Sequence, residues 1–206
     1  LKPSIIHIPT NAIARKIINR SILRIIEILK SEAPDTHLTI KPSLDHLNEK
    51  HDEIRGAKGN FQKVVDVFQD LKSFKTEYPN LSAELGTVIS KWNINDIEEI
   101  SRFAHSLNPD SYRNEIAEER SEMFNFDDGI TPVHEDYKKA IDTFSSHQIR
   151  EMGNKPLFNR IANAFRLVYY QLALKFLHMQ SQPIPCYGGI TNAHLTPYGD
   201  IWACCT

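Results

Sequence analysis

The stretch "HLTIKPSLDHLNEKHDEIRGAKGNFQKVVDVF" (37–68) carries the pattern on which the fold turns. It opens with a strand-like run, "HLTIKPSLD" (37–45), interrupted by Pro42, which points to an unusual or edge-like strand end. Arg55, Gly56 and Gly59 then read as a turn. "GNFQKVVDVFQDLKSFKTEYP" (59–79) follows as an amphipathic helix with Phe61, Val64, Val65, Phe68 and Leu71 on one face. The glycine spacing is too short and wrongly placed for a dinucleotide fingerprint or a P-loop.

The same alternation extends in both directions. "SIIHIP" (4–9) reads as a buried strand and 11–31 as a helix with Ile and Leu at helical spacing. "SAELGTVIS" (82–90) is a third strand. Asn93 is placed to cap the helix in "INDIEEISRFAHSL", with Asp96 in its first turn. "YRNEIAEE" (112–119) is a weaker fourth strand. Strand–helix repetition implies right-handed crossovers and a parallel sheet, hence an α/β fold. Beyond it, "EDYKKAIDTF" (135–144) and "PLFNRIANAFRLVYYQLALKFLHMQ" (156–180) are helical. The Phe165, Val168, Leu172 and Phe176 stripe reads as core. A composition shift after "QSQPIP" sets a boundary at 181, giving segments 1–180 and 181–206. No internal repeat or low-complexity tract is visible.

The 206 residues are 41% hydrophobic and 24% charged, enough for one or two domains with a sizeable core. The net charge of -2 does not indicate a nucleic-acid partner. The most apolar early run is broken by Arg15, Lys16, Arg20 and Arg24, so no membrane partner is expected. Cysteine is odd in number and absent from the first 185 positions, which argues against a secreted disulfide framework and for a cytoplasmic setting. The chain opens on Leu1, and its last motif runs to the terminus, so a piece of a longer protein is expected.

All three cysteines fall in "CYGGITNAHLTPYGDIWACC" (186–205). Pro197, Tyr198 and Gly199 read as a turn, with Ile201 and Trp202 starting a return strand. A hairpin brings Cys186 and Cys204 together, whereas Cys205 points to the other face if the strand continues. On the residues alone, half a zinc knuckle, an iron–sulfur site and inert thiols all stay open. The nine histidines show no paired metal spacing.

In a parallel sheet, ligands bind at the carboxyl ends of the strands. Those ends carry Thr10 and Asn11; Ser43 and Asp45; Ser90, Lys91 and Asn93; and Glu115, Glu118 and Arg120. Hydroxyls and amides there suit a ribose, and an Arg suits a carboxylate. Each residue taken alone is also a plausible cap or turn former.

"SLDHLNEKHDEIRGAKGNFQKV" (43–64) resembles the strand-and-loop signature of radical S-adenosylmethionine (radical SAM) enzymes with a SPASM or twitch extension. Ser43, Leu44, Asp45, His51, Asp52, Arg55, Gly56, Gly59 and Phe61 occupy the signature positions, and His46 stands where glycine is usual. "IPTNAIA" (8–14) resembles the family's Ser-Thr-Asn-Gly strand end, with Ala12 in the glycine place. "TVISKWNINDIEEI" and "NEIAEERSE" resemble its next two strands. The likeness covers most of 5–135 and the terminal hairpin, and is weak over 145–180.

The resemblance implies a partial TIM-like (β/α)6 barrel, of which this chain supplies units three to six. It implies that Ser43 and Arg55 hold the methionine carboxylate of S-adenosylmethionine, and that Asn11 and Ser90 face its methionine or ribose. Asp45 and Glu118 fall on the substrate side, as catalytic candidates. Such enzymes use a C-x-x-x-C-x-x-C loop to bind a 4Fe–4S cluster that reduces the sulfonium and releases a 5′-deoxyadenosyl radical. No such loop lies between Leu1 and Pro185. It is expected upstream, by roughly 50–80 residues on the usual βα repeat length. The hairpin resembles the Cys-x(9–15)-Gly-x4-Cys start of an auxiliary iron–sulfur site, with Cys186 and Cys204 as ligands and Cys205 a spare or substitute. The implied partners are an external electron donor and a peptide, protein or small-molecule substrate. Two other readings compete: a non-enzymatic α/β binding module with a zinc hairpin, and a pseudoenzyme that binds the cofactor without cleaving it.

Overall fold

Apolar strands alternating with one-faced helices assemble into an α/β structure with a four-stranded parallel sheet. The structure is a computed structural model and describes residues 2–119, 125–153, 157–179, 181–190, 194–195 and 198–203. It divides into two units, Leu1–Ile89 with Asp96–Glu115, and Ser90–Asn95 with Ile116–Thr206. The compositional boundary at 181 lies inside the second.

The first unit runs β1 (Ile5–Thr10), α1 (Arg15–Glu32), β2 (His37–Pro42), α2 (Asn48–Arg55), α3 (Asn60–Phe74), β3 (Leu81–Ile89), α4 (Ile97–Ser106) and β4 (Ser111–Ile116). The sheet order is β1-β2-β3-β4, with Ile6 opposite Leu38, Ile8 opposite Ile40, and Ile40 opposite Ala83. Because side chains alternate along a strand, one face collects Leu38, Ile40, Leu81, Ala83, Leu85 and Ile89, all buried. Helix α3 packs on β2 and β3 through its buried Val64, Val67, Phe68 and Leu71, and α1 packs beside it. Arg15, at the start of α1, holds Asp70 with two nitrogens at 2.7 and 2.8 Å and Asp66 at 2.7 Å. Val67, rather than Phe61 or Val65, completes the buried stripe of α3; those two are half-buried at its margins.

The opposite face is polar. His37 meets Ser82 at 2.8 Å, Lys41 donates to Glu115 at 2.6 Å, and Arg113 grips Glu84 with Nε at 2.8 Å and Nη2 at 3.0 Å. The stem of Lys41 crosses Gly86, where an added Cβ would lie 3.0 Å from Lys41 Cδ.

One local expectation is overturned, and one helix was not foreseen. Strand β2 lies inside the sheet, between β1 and β3, so it is not edge-like; Pro42 is its last residue, and the pairing passes beyond it to Ser43. The turn read at Gly56 and Gly59 is present, and just ahead of it lies α2, eight residues long and not foreseen in the sequence, closed by Gly56 in the left-handed conformation with φ 60°. Ala12 also has a positive φ, 58°, a backbone conformation that glycine favours. His46 does not, and its side chain does other work.

In the second unit, α5 (His134–Met152) packs against α6 (Leu157–Met179). Tyr137, Ala140, Ile141 and Phe144 of α5 and Tyr170, Ala173, Leu174 and Leu177 of α6 are buried at helical spacing. This overturns the expected core stripe. Phe165, Val168 and Phe176 are 71%, 54% and 45% exposed, and Leu172 is half-buried. Helix α6 is apolar on two faces, and the one carrying Tyr170, Ala173, Leu174 and Leu177 is the buried one. A short antiparallel pair, β5 (His194–Leu195) and β6 (Ile201–Trp202), ends the described chain, with Gly199 at φ 93° between its strands.

Candidate functional site

The carboxyl end of β2 concentrates the signature residues, and their hydrogen bonds show why. Ser43 continues the strand: its N–H donates to Thr10 O at 2.9 Å, and it bridges Gly86 of β3. Asp45, 4% exposed, is clamped on both oxygens. Its Oδ1 accepts the Val88 N–H at 2.9 Å, and its Oδ2 meets Arg55 Nη2 at 2.5 Å. Arg55 reaches Asp45 from the last turn of α2, where a cation also suits the helix dipole. Arg55 Nε is buried and has no hydrogen-bond partner among the described residues.

Asp52 secures the next turn. Its carboxylate accepts from Gly59 N–H and, at 2.8 Å, from Phe61 N–H, capping α3 from a distance. The Phe61 N–H is the main cause that holds this carboxyl below its ordinary 3.8. His46 accepts Leu47 N–H at Nδ1, 2.7 Å away, and presents Nε2 to Asp96 at 3.1 Å. Lys50 also reaches Asp96, at 3.3 Å. Asp96, expected to serve its helix, makes no side-chain cap bond there and is held below 3.8 chiefly by His46.

Asn11 turns out to shape the β1 exit: its Oδ1 accepts Ile13 N–H at 3.1 Å, beside the Thr10 Oγ1 bond to Ala12 N–H at 3.2 Å. Ser43 Oγ has no hydrogen-bond partner among the described residues. Thus Asn11, Ser43 and Asp45 lie just past the carboxyl ends of adjacent strands β1 and β2, and Arg55 joins them from the last turn of α2, all in the first unit.

Ser90 and Glu118 belong to the second unit. Ser90 is buried, donates its N–H to Asn93 Oδ1 at 2.8 Å, and accepts Trp92 N–H at Oγ, 3.3 Å away. Asn93 therefore closes a turn on Ser90 instead of capping the following helix, whose N-cap position falls at Asp96. Glu118 is half-buried, and its carbonyl accepts from Asn125 at 3.2 Å. Cys186 is exposed and reduced, and its Sγ accepts Gly188 N–H at 3.3 Å. Cys204, Cys205 and Arg120 lie outside the described residues. Among those described, no group of three or more metal-binding side chains converges, and no helix is long and apolar enough to cross a membrane.

Sequence reasoning passed over Asn60 and treated His51 only as a motif letter. Both are fully buried and hydrogen-bonded to each other at 3.1 Å. The available signal was a histidine one residue before the capping Asp52, in a stretch too polar to bury itself by hydrophobicity.

Comparison with known protein families, with curated proteins and with solved structures finds no match.

Proposed function

We propose that the chain is part of a radical SAM enzyme carrying a SPASM or twitch extension. One observation carries this reading: at the carboxyl end of β2, Arg55 is anchored by one nitrogen to buried Asp45 while its buried Nε keeps an unused donor. A guanidinium held this way is preorganised to take a carboxylate, and the unpartnered Ser43 hydroxyl lies at the same strand exit. These residues fit the amino-acid end of S-adenosylmethionine. Asp45 then acts as the anchor of Arg55, and Asn11 shapes the neighbouring loop.

The sheet order supports a TIM-like barrel. Successive strands lie side by side, and α1 and α3 pack against each other, so the sheet is wound in one direction without a switch point. A charged inner face is what such a winding would turn towards a substrate.

When bound, the cofactor and a 4Fe–4S cluster supply reductive cleavage and hydrogen abstraction. Cys186, with Cys204 and Cys205, would hold an auxiliary cluster. A peptide or protein is the substrate class carried forward, with an external electron donor.

The test uses the full gene product, purified without oxygen. Iron and sulfide near 4:4 per cluster (about that ratio), with 5′-deoxyadenosine formed after reduction, support the proposal. Stoichiometric zinc without cofactor binding establishes a binding module instead. Cofactor binding without 5′-deoxyadenosine identifies a pseudoenzyme.

A further inference from the structure

His51 sits in α2 with no exposed surface. Its Nδ1 lies 3.2 Å from Asp45 N and 3.4 Å from His46 N, both of which are backbone donors. A nitrogen receiving two N–H groups carries no proton, so the ring proton is on Nε2. Nε2 then donates to Asn60 Oδ1 at 3.1 Å, and Asn60 is fixed the right way round because its Nδ2 donates to Asn11 O at 2.9 Å. One imidazole thereby joins the exits of β1 and β2 to the start of α3.

We infer that His51 is a positioning residue: as a neutral, Nε2-protonated ring it fixes the backbone at 45–46, and through it the Asp45 carboxylate that aims Arg55. Its relevance to ligand binding rests on the reading that Arg55 receives the cofactor carboxylate. The charged groups facing the ring are Asp45, Asp52 and Arg55; α3 contributes neutral Asn60 and the edge-on ring of Phe61, 6.3 Å away. Asp45 and Asp52 are committed to Arg55, Val88, Gly59 and Phe61, so neither is placed to share a proton with the imidazole. Burial first, and then Arg55, keep the ring below its ordinary 6.5 against the opposing pull of the carboxylates. A hydrophobic residue of similar size would fill the space and leave two N–H donors and one amide oxygen without partners. An Asn at 51 replaces the acceptor at Nδ1 and loses only the link to Asn60.

The test starts on the unmodified protein, so it does not depend on a variant folding. Nitrogen NMR of His51 at pH 7 is expected to show a bare Nδ1 and a protonated Nε2; the other tautomer, or an imidazolium, overturns the inference. Amide exchange is then compared in His51→Phe and His51→Asn. His51→Phe is expected to speed exchange at Asp45 and His46 about tenfold, the scale of one lost buried hydrogen bond. It should also speed exchange at Val88, which reports the Asp45 carboxylate although His51 does not touch it. His51→Asn should keep all three within about threefold of the parent. Unchanged Val88 exchange in His51→Phe refutes positioning, even if the other two amides respond. S-Adenosylmethionine affinity gives a separate reading. If the parent binds, His51→Phe should weaken binding about tenfold and His51→Asn much less, and equal affinities count against the inference. If the parent does not bind, the cofactor assignment fails, while tautomer and exchange still decide the role of His51.

Discussion

Replacing Asp45 distinguishes a structural anchor from a catalytic acid whose burial the fold merely tolerates. The Asp45 side chain is 5% exposed and Arg55 is 26% exposed. Deleting one partner of a fully buried ion pair costs about 3–5 kcal/mol, because the other charge is stranded. Arg55 retains some access to water, which lowers that figure. The Val88 N–H, however, also loses its acceptor, at about 1 kcal/mol. Asp45→Ala is therefore expected to destabilise the protein by about 3 kcal/mol. Asp45→Asn keeps an oxygen for Val88 and a weaker, uncharged acceptor for Arg55, and should cost about 1–2 kcal/mol. Urea unfolding at pH 7, with Arg55→Met completing a double-mutant cycle, measures the coupling directly. A coupling under about 0.5 kcal/mol, or an Asp45→Asn protein more stable than the parent, would refute the anchor argument.

Three further outcomes follow from the same structure. Tyr137 has a fully buried phenol without a hydrogen-bond partner among the described residues, and burial pushes its pKa far up. Tyr137→Phe should leave thermal stability unchanged or raise it by about 1 kcal/mol; a loss of that size would reveal a missed acceptor. Gly56 closes α2 at φ 60° with open space around it, so Gly56→Ala should cost about 1 kcal/mol of backbone strain and no clash, read by urea unfolding. Acid should destabilise the protein in two windows. Folding lowers the His51 pKa, so its contribution is complete above the ordinary 6.5 and declines as the pH falls towards the folded value. Asp52, Asp70 and Asp96 are also lowered, so theirs are complete above 3.8 and are lost as the pH falls through the folded values. His7 is lowered too, chiefly by burial, so His51→Asn should shrink the upper window without abolishing it and leave the lower one unchanged in unfolding curves taken across pH.

The parallel sheet was legible because Ile, Leu and Val recur at strand and helix periods over 4–119, and such periods directly reflect burial. Helix α2 was not, since "NEKHDEIR" has no apolar stripe and is held by polar links from His51 and Arg55 rather than by hydrophobic packing. The inward face of α6 was misread for a different reason. Both of its faces are apolar, so periodicity locates a helix there but does not choose a side. At the candidate site, residue types pointed to the loop in which Asp45, His51, Asp52 and Arg55 are hydrogen-bonded together or to its backbone. Their division of labour was not visible, because a carboxylate that anchors and one that reacts look the same in a string of letters. Asp45 and Asn11 are engaged in holding the loops, whereas the spare donor lies on Arg55.

The polar face of the sheet is hard to explain as a device for stability. Lys41 and Glu84 have side chains 11% and 7% exposed, yet both are charged, and each is paired with a more exposed partner on β4. Well-packed apolar residues in place of buried ion pairs are often neutral or stabilising by about 1–4 kcal/mol. A sheet built only to be covered by helices on both faces would therefore be expected to read apolar on both. Here β2 and β3 read apolar on alternate residues, and α3 packs on that face. Gly86 strengthens the point, because the absence of a Cβ gives the Lys41 stem a path across β3 towards Glu115. A side chain there would trade backbone freedom for contact with the stem, and would obstruct the ion pair. The charges on this face and the Arg55 anchor at the strand ends thus have a common physical logic: both retain polar groups at a cost to stability, as the proposed cofactor site at the strand ends would require.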